Sequence, residues 1–315
     1  MKDIATVIKE NYFINTKKLE SDYNFTLENN KTFKKLVTNL NLPNSYLMKY
    51  TTKLEETSHE LDNCKKCKHL MDCQNSYQGH VYYPSLLNDN LVFDYVPCKY
   101  QKEEIEKNKY KKNIFLFEVP KEIKAASMKN IDLDDPDRFE IIKWLKNFLD
   151  NYRPRTGMKG MYLTGNFGCG KTYLISACLN ELAKKDHKIA IIYYPEFLRS
   201  LKESFGDSEE YNSKFKFIKN IEVLLIDDIG AETMTEWSRD EVLGTILQYR
   251  MQEGLTTFFT SNLSIKDLEE HFSISSKGVE KVKAKRIIER IKQLTTEMIM
   301  VSENKRKWGL KWKMI

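Results

Sequence analysis

Residues 165–172 read Gly165-Asn166-Phe167-Gly168-Cys169-Gly170-Lys171-Thr172, a complete GxxxxGK[ST] spacing. Glycines at these positions let successive backbone N–H groups turn inward around phosphate oxygens. Lys171 can then reach the β- and γ-phosphates, and the Thr172 hydroxyl can hold Mg²⁺. Further along, Val223-Leu224-Leu225-Ile226-Asp227-Asp228 sets paired carboxylates at the end of an apolar run. A buried strand of that kind delivers Asp227 beside the phosphate loop to organise Mg²⁺, with Asp228 placed to orient or polarise an attacking water. Taken singly, each motif has an ordinary alternative, a chance glycine turn or a core strand with acidic turn residues. Together they point to a nucleotide site.

Two further features bear on the same chemistry. The apolar run Thr256–Ser261 ends at Asn262, a polar side chain suited to sensing a γ-phosphate or positioning its water, unless it merely caps the helix opened by Ser264. In Lys285-Arg286-Ile287-Ile288-Glu289-Arg290-Ile291, Arg286 and Arg290 share one helical face. Presented to a neighbouring subunit's nucleotide, such an arginine stabilises transition-state charge; the alternative is a solvated face on which Glu289 pairs locally.

A separate cluster has metal-ligand character. Cys64 and Cys67 form a CxxC knuckle, which lets two thiolates converge on a tetrahedral ion, and His69, Cys73, His80 and Cys98 are the candidates for two more ligands. A closed four-ligand zinc site leaves no position for a catalytic water, so its role is structural. Cys73 can equally be a small buried hydrophobe.

The elements that must position these groups follow from composition and pattern. A chain of 315 residues has room for two domains, and six cysteines are too few for a disulfide-stapled scaffold. Net charge is +6 and mean hydropathy −0.56. No apolar run reaches about 18 residues, and the opening MKDIATVIKENYF lacks the basic-then-apolar layout of a secretory signal, so a cytoplasmic protein without a membrane partner is expected. Residues 1–60 are polar with short helical patterns (Phe33, Leu36, Val37, Leu40); 61–101 form a metal-organised module with β-prone pieces at 81–83 and 91–95. The charged stretch 102–113 reads as a linker. Beyond it, in 114–315, Asp135 can cap a helix with Pro136 at its first position and Phe139, Ile142, Leu145 and Phe148 on one face. KGMYLTG, IAIIYY, VLLIDD, TTFFTSN and EMIMVS are five apolar runs separated by helical segments, which predicts an α/β domain on a mostly parallel five-stranded sheet.

The basicity is not diffuse. Residues 277–315 carry +8, leaving −2 for the rest, and the final KRKWGLKWK interleaves Lys305, Arg306, Lys307, Lys311 and Lys313 with Trp308 and Trp312. That composition suits phosphate neutralisation with base stacking, although tryptophans near a terminus also dock it onto a core.

The phosphate loop, the stretch LLIDDIGAE, the strand TTFFTSN, the arginine pair in KAKRIIERI and the lead-in VPKEIKAASMKNI together resemble the AAA+ ATPases of the DnaI/DnaC helicase-loader group. CKKCKHLMDCQNSYQGHVYYP followed by FDYVPCKY resembles the zinc-binding domain of the DnaI branch. The resemblance implies a P-loop domain without a separate lid and weak ATP hydrolysis completed by neighbouring subunits. It implies Cys64, Cys67, His80 and Cys98 as the zinc set, with 1–60 and 61–101 forming the helicase-interaction domain. It further implies ATP-dependent loading of the hexameric replicative helicase onto single-stranded DNA at initiation or restart, self-association on the helicase, and contacts with other primosome or initiator proteins. A transposition-helper ATPase of the IstB group shares the loop and the LLIDDIG pattern but not the cysteine module. An adaptor that ATP switches without hydrolysis is the other alternative.

Overall fold

The computed structural model describes residues 4–304 apart from 89, 132–134 and 276–277. It divides into two compact units, Met1–Asn108 and Lys109–Ile315.

The first unit packs three helices, α1 (Ile4–Asn29), α2 (Lys31–Leu40) and α3 (Thr51–Lys66), with an antiparallel hairpin of β1 (His80–Leu87) and β2 (Asn90–Pro97), and ends in α4 (Lys99–Asn108). Asn30 starts α2 by accepting from the backbone N–H of Thr32 and Phe33, and Asn41 in the left-handed region closes it. The apolar face of α2 buries Phe33, Leu36 and Val37 in a small core with Tyr23, Leu47, Leu54 and Leu91 of the hairpin. The polar N-terminal stretch and the cysteine module thus share one core. The charged stretch after residue 101 is not extended but helical, because KYQKEEIEKN consists mostly of good helix formers.

The second unit holds six parallel strands rather than the expected five: β3 (Ile114–Phe117), β4 (Gly160–Gly165), β5 (Ile189–Tyr193), β6 (Val223–Asp227), β7 (Thr256–Ser261) and β8 (Thr295–Met300), in the order β8-β4-β7-β6-β5-β3. The additional strand is the short run Ile-Phe-Leu-Phe, which pairs with β5 at one edge. Four residues between a charged helix and a proline give too weak a pattern to register as a strand. Successive strand residues face opposite layers. Met161, Leu163, Ile191 and Leu225 meet one set of helices, and Tyr162, Ile192, Leu224 and Phe259 meet the other. Both faces being covered, the strands read as unbroken apolar runs.

On the first face lie α5 (Pro136–Asn151) and α6 (Lys171–Lys184). Asp135 caps α5 with Pro136 at its first turn, but the buried stripe is Arg138, Ile141, Leu145 and Phe148, while Phe139 is 61% exposed. Leu145 and Phe148 lie on the expected face and Ile142 packs at its edge; only the first turn differs, where Arg138 takes the inward position in place of Phe139. The opposite face carries α7 (Tyr194–Glu203), α8 (Ser208–Asn220), α9 (Gly244–Gln252), α10 (Ile265–Ser273) and α11 (Lys281–Leu294). A π-helical turn, Trp237–Leu243, leads into α9. Arg250 of α9 is fully buried, donating to the carbonyls of Ile221 (2.7 Å) and Thr256 (2.6 Å) and to the Thr257 hydroxyl (2.8 Å), so it ties the start of β7 to the turn before β6. Among the described residues β8 follows α11 directly, and no helix is long and apolar enough to cross a membrane. The interleaved basic and tryptophan residues 305–313 lie outside the described residues.

Candidate nucleotide site

Three neighbouring strands, β4, β7 and β6, end side by side, with Thr164 opposite Ser261 and Tyr193 of β5 opposite Asp227. Ligands of open α/β sheets bind at these carboxyl ends. The phosphate loop leaves β4 at Gly165 and enters α6 at Lys171. At Gly165 a side chain is excluded, since a Cβ would fall 2.0 Å from the Met300 carbonyl of the adjacent strand.

The Lys171 ammonium donates to the carbonyls of Gly165 (2.8 Å) and Asn166 (2.9 Å) and to Asn262 Oδ1 (2.8 Å). Asn262 in turn donates from Nδ2 to Asp228 Oδ1 at 2.8 Å. Asn262 is not the cap of α10; Ser264 holds that position, accepting from the Asp267 N–H. A continuous chain therefore runs from the loop lysine through Asn262 to the second carboxylate. Asp228 sits at φ +58°, a conformation that costs a non-glycine residue energy.

Asp227 is buried and accepts from Thr172 Oγ1 at 2.6 Å and from Thr260 Oγ1 at 2.5 Å. Burial pushes its carboxyl above the usual range and Asp228 adds to the rise, while the two hydroxyls and Lys171 oppose it. The Thr172 hydroxyl and the Asp227 carboxylate are hard oxygen donors in contact, the set that a Mg²⁺ bound with substrate phosphates requires. Thr260 also accepts from the Asp228 N–H at 2.9 Å. Neither Thr260 nor Tyr193, whose hydroxyl is pushed up by burial and then by Asp228 and Asp227, stood out in the sequence. For Thr260 the signal was present: it lies two positions before Asn262 and so on the same strand face.

Arg286 and Arg290 are not brought to this loop. With Lys219, Asp240 and Lys283 they line a 530 Å³ open cleft between α9 and α11. Arg290 is half-buried and donates to the Gly244 carbonyl at 2.8 Å, whereas Arg286 is exposed. Burial, with Arg286 nearby, lowers the readiness of Arg290 to hold its proton.

In the first unit, Cys64, Cys67, Cys73 and Cys98 are near enough to act on one another: burial, then the neighbouring thiols, pushes Cys64 up. Cys64 Sγ accepts from Asn75 Nδ2 (3.4 Å) and Cys73 Sγ from the Gly79 N–H (3.3 Å), and the Cys98 N–H donates to the Gly79 carbonyl. His80 Nδ1 lies 3.0 Å from the Gln78 carbonyl and its ring packs on Tyr77. His69 instead pairs with Asp72. The donor types suit zinc, yet among the described residues no three His, Cys, Asp or Glu side chains are arranged to hold an ion.

Residues 150–276 match the model of the bacterial DnaA ATPase domain. The replicative helicase loader DnaI of Bacillus subtilis is 38% identical over 261 residues, 82% of this chain and 83% of that protein. A DnaI crystal structure superposes on 63% of this chain and all of its own with a TM-score of 0.56 and 43% identity. A putative primosome component from Streptococcus pyogenes covers 64% of this chain and 99% of its own at 0.53 and 35%. With the phosphate loop, the paired carboxylates and the Asn262 relay set on an AAA+-type α/β sheet, the chain belongs to the DnaI family of replicative helicase loaders.

Proposed function

We propose that this chain loads the hexameric replicative helicase onto single-stranded DNA in a cycle that ATP binding starts and hydrolysis ends. The observation that carries the ATP-dependent part is the convergence of Lys171, Asn262 and Asp228 on one side of the loop and Thr172, Asp227 and Thr260 on the other. The loop amides of Gly165, Asn166, Phe167, Gly168, Cys169 and Gly170 cradle the phosphates. Lys171 exchanges its loop carbonyls for phosphate oxygens, and Thr172 with Asp227 would hold Mg²⁺, which would supply neutralisation of phosphate charge. Asp228, held by Asn262, orients the attacking water; when a γ-phosphate takes Lys171 from Asn262, the relay changes partners.

A second copy seated on the helicase completes the site with Arg286 or Arg290. The first unit, 1–108, is the helicase-binding part, and its cysteines would hold zinc as a structural staple once their side chains turn onto one ion. Cys64, Cys67 and Cys98 with His80 form the set; Cys73 is its rival because it already accepts an N–H from Gly79, as a metal-bound thiolate does. Other primosome or initiator proteins would meet the assembly in the cytoplasm.

The test is a pull-down with the cognate helicase in ATP and in ADP, together with a loading assay. Lys171→Ala should abolish ATP-dependent loading while helicase association persists. Loss of association together with loading would contradict the division of labour.

A further inference from the structure

Arg138 has no part in the motifs that identify the site, yet it is buried to 8% exposure at the first inward position of α5, against the outer side of the phosphate loop. Its Nη2 donates to the Cys169 carbonyl at 2.6 Å and lies 3.6 Å from where a Cβ on Gly170 would stand. Its Nε is 3.1 Å from Asp135 Oδ2, and Nη2 also reaches Ser302 Oγ at 3.3 Å. The Ser302 hydroxyl donates to the same Asp135 oxygen at 2.5 Å. Two residues on, the Asn304 side chain lies over Gly168, where a Cβ would meet Asn304 Oδ1 at 2.3 Å. The loop is thus gripped from outside by the start of α5 and by the chain that continues β8.

From this geometry we infer that Arg138 is a positioning residue for nucleotide binding, held in place by Asp135 and Ser302. A phosphate loop binds anions only when its amides converge, and each peptide unit that turns its N–H inward must turn its carbonyl outward. The outward Cys169 carbonyl has no place in α6, which starts at Lys171. A buried guanidinium satisfies that carbonyl and, through the fixed fork of its donors, fixes the rotation of the peptide between Cys169 and Gly170. Lysine, a point donor on a flexible stem, lacks the planar group that reaches the Cys169 carbonyl and Ser302 while its charge stays beside Asp135. The inference deepens the reading of this loop as a nucleotide site and rests on it.

The experiment titrates a fluorescent ATP analogue and a fluorescent ADP analogue, with Mg²⁺, into the full chain and into Arg138→Lys, Arg138→Ala, Ser302→Ala and Lys171→Ala. Unfolding is followed without nucleotide for each. Arg138→Ala should weaken both analogues at least about tenfold, Arg138→Lys less so, and Ser302→Ala by about two- to fivefold, with binding stoichiometry unchanged. Combining Ser302→Ala with Arg138→Ala should add little, since both act through one guanidinium. A merely structural arginine would lower the stoichiometry and the unfolding temperature while leaving the dissociation constant of the folded fraction as it was, and that pattern would overturn the inference. Wild-type affinity in Arg138→Ala would overturn it too. Failure of the unaltered chain to bind either analogue would instead overturn the reading of the loop itself.

Discussion

At the scale of single residues the site places opposed demands on Asp227. Its carboxylate must be ionised to hold Mg²⁺, yet burial pushes its proton affinity up. A carboxyl whose folded pKa lies above the unfolded one binds more protons folded than unfolded between those two values. Folding stability therefore falls as pH rises through that window, and the cost persists at neutral pH. Asp227→Asn removes the cost and keeps an acceptor for Thr172 and Thr260. The nucleotide-free variant should melt at or above the wild-type temperature at pH 7, with the gap closing toward pH 4, while Mg²⁺-dependent hydrolysis is lost. A variant less stable than wild type at neutral pH would show that the two threonine bonds outweigh the desolvation. The sequence made Asp227 and Lys171 legible because motif spacing encodes loop geometry. It could not make Arg138 legible: its partners Cys169 and Ser302 are 31 and 164 positions away, Ser302 belongs to no motif, and Cys169 takes part through its backbone carbonyl, which no motif encodes.

At the scale of elements, strand order and the outer strand show where pattern reading succeeds. Runs such as VLLID are apolar throughout because both faces of a parallel sheet are covered, which makes the central strands plain. The edge strand Ile114–Phe117 is short and partly exposed along its length, which leaves no distinct pattern, and the first turn of α5 departs from the apolar periodicity because Phe139 lies on the outside while Arg138 lies within. The first unit raises a different problem: among the described residues its shared core holds seven buried apolar side chains. A core of that size gains from a staple, and we expect zinc at the cysteine cluster to be it. Metal analysis of the purified chain should give about one zinc per molecule, and chelation should expose four reactive thiols beyond Cys169 and Cys178, which are buried in the ATPase-type unit. Cys64→Ser should lose the metal and the helicase association together. Association that survives with zinc absent would remove the metal from the binding argument.

At the scale of the whole molecule, charge decides where DNA affinity can reside. Residues 1–276 carry −2 and residues 277–315 carry +8, so a body close to neutral ends in a segment holding all the excess basicity. That segment includes the basic face of α11, with Lys281, Lys285 and Arg286 exposed, and runs through Ser302 and Asn304 at the phosphate loop into Lys305, Arg306 and Lys307. Nucleic-acid affinity that rests on phosphate neutralisation falls steeply with salt, and the slope counts the phosphates contacted. Replacing Lys305, Arg306, Lys307, Lys311 and Lys313 by glutamine should therefore weaken single-stranded DNA binding and flatten its dependence on salt by several phosphate equivalents. Neutralising Lys65, Lys66 and Lys68 beside the cysteine knuckle should leave both nearly unchanged. Fluorescence anisotropy with a labelled oligonucleotide between about 50 and 200 mM salt separates the two sets. An equal loss from both would mean that the first unit takes part in DNA binding, and the assignment of 1–108 to the helicase alone would fail.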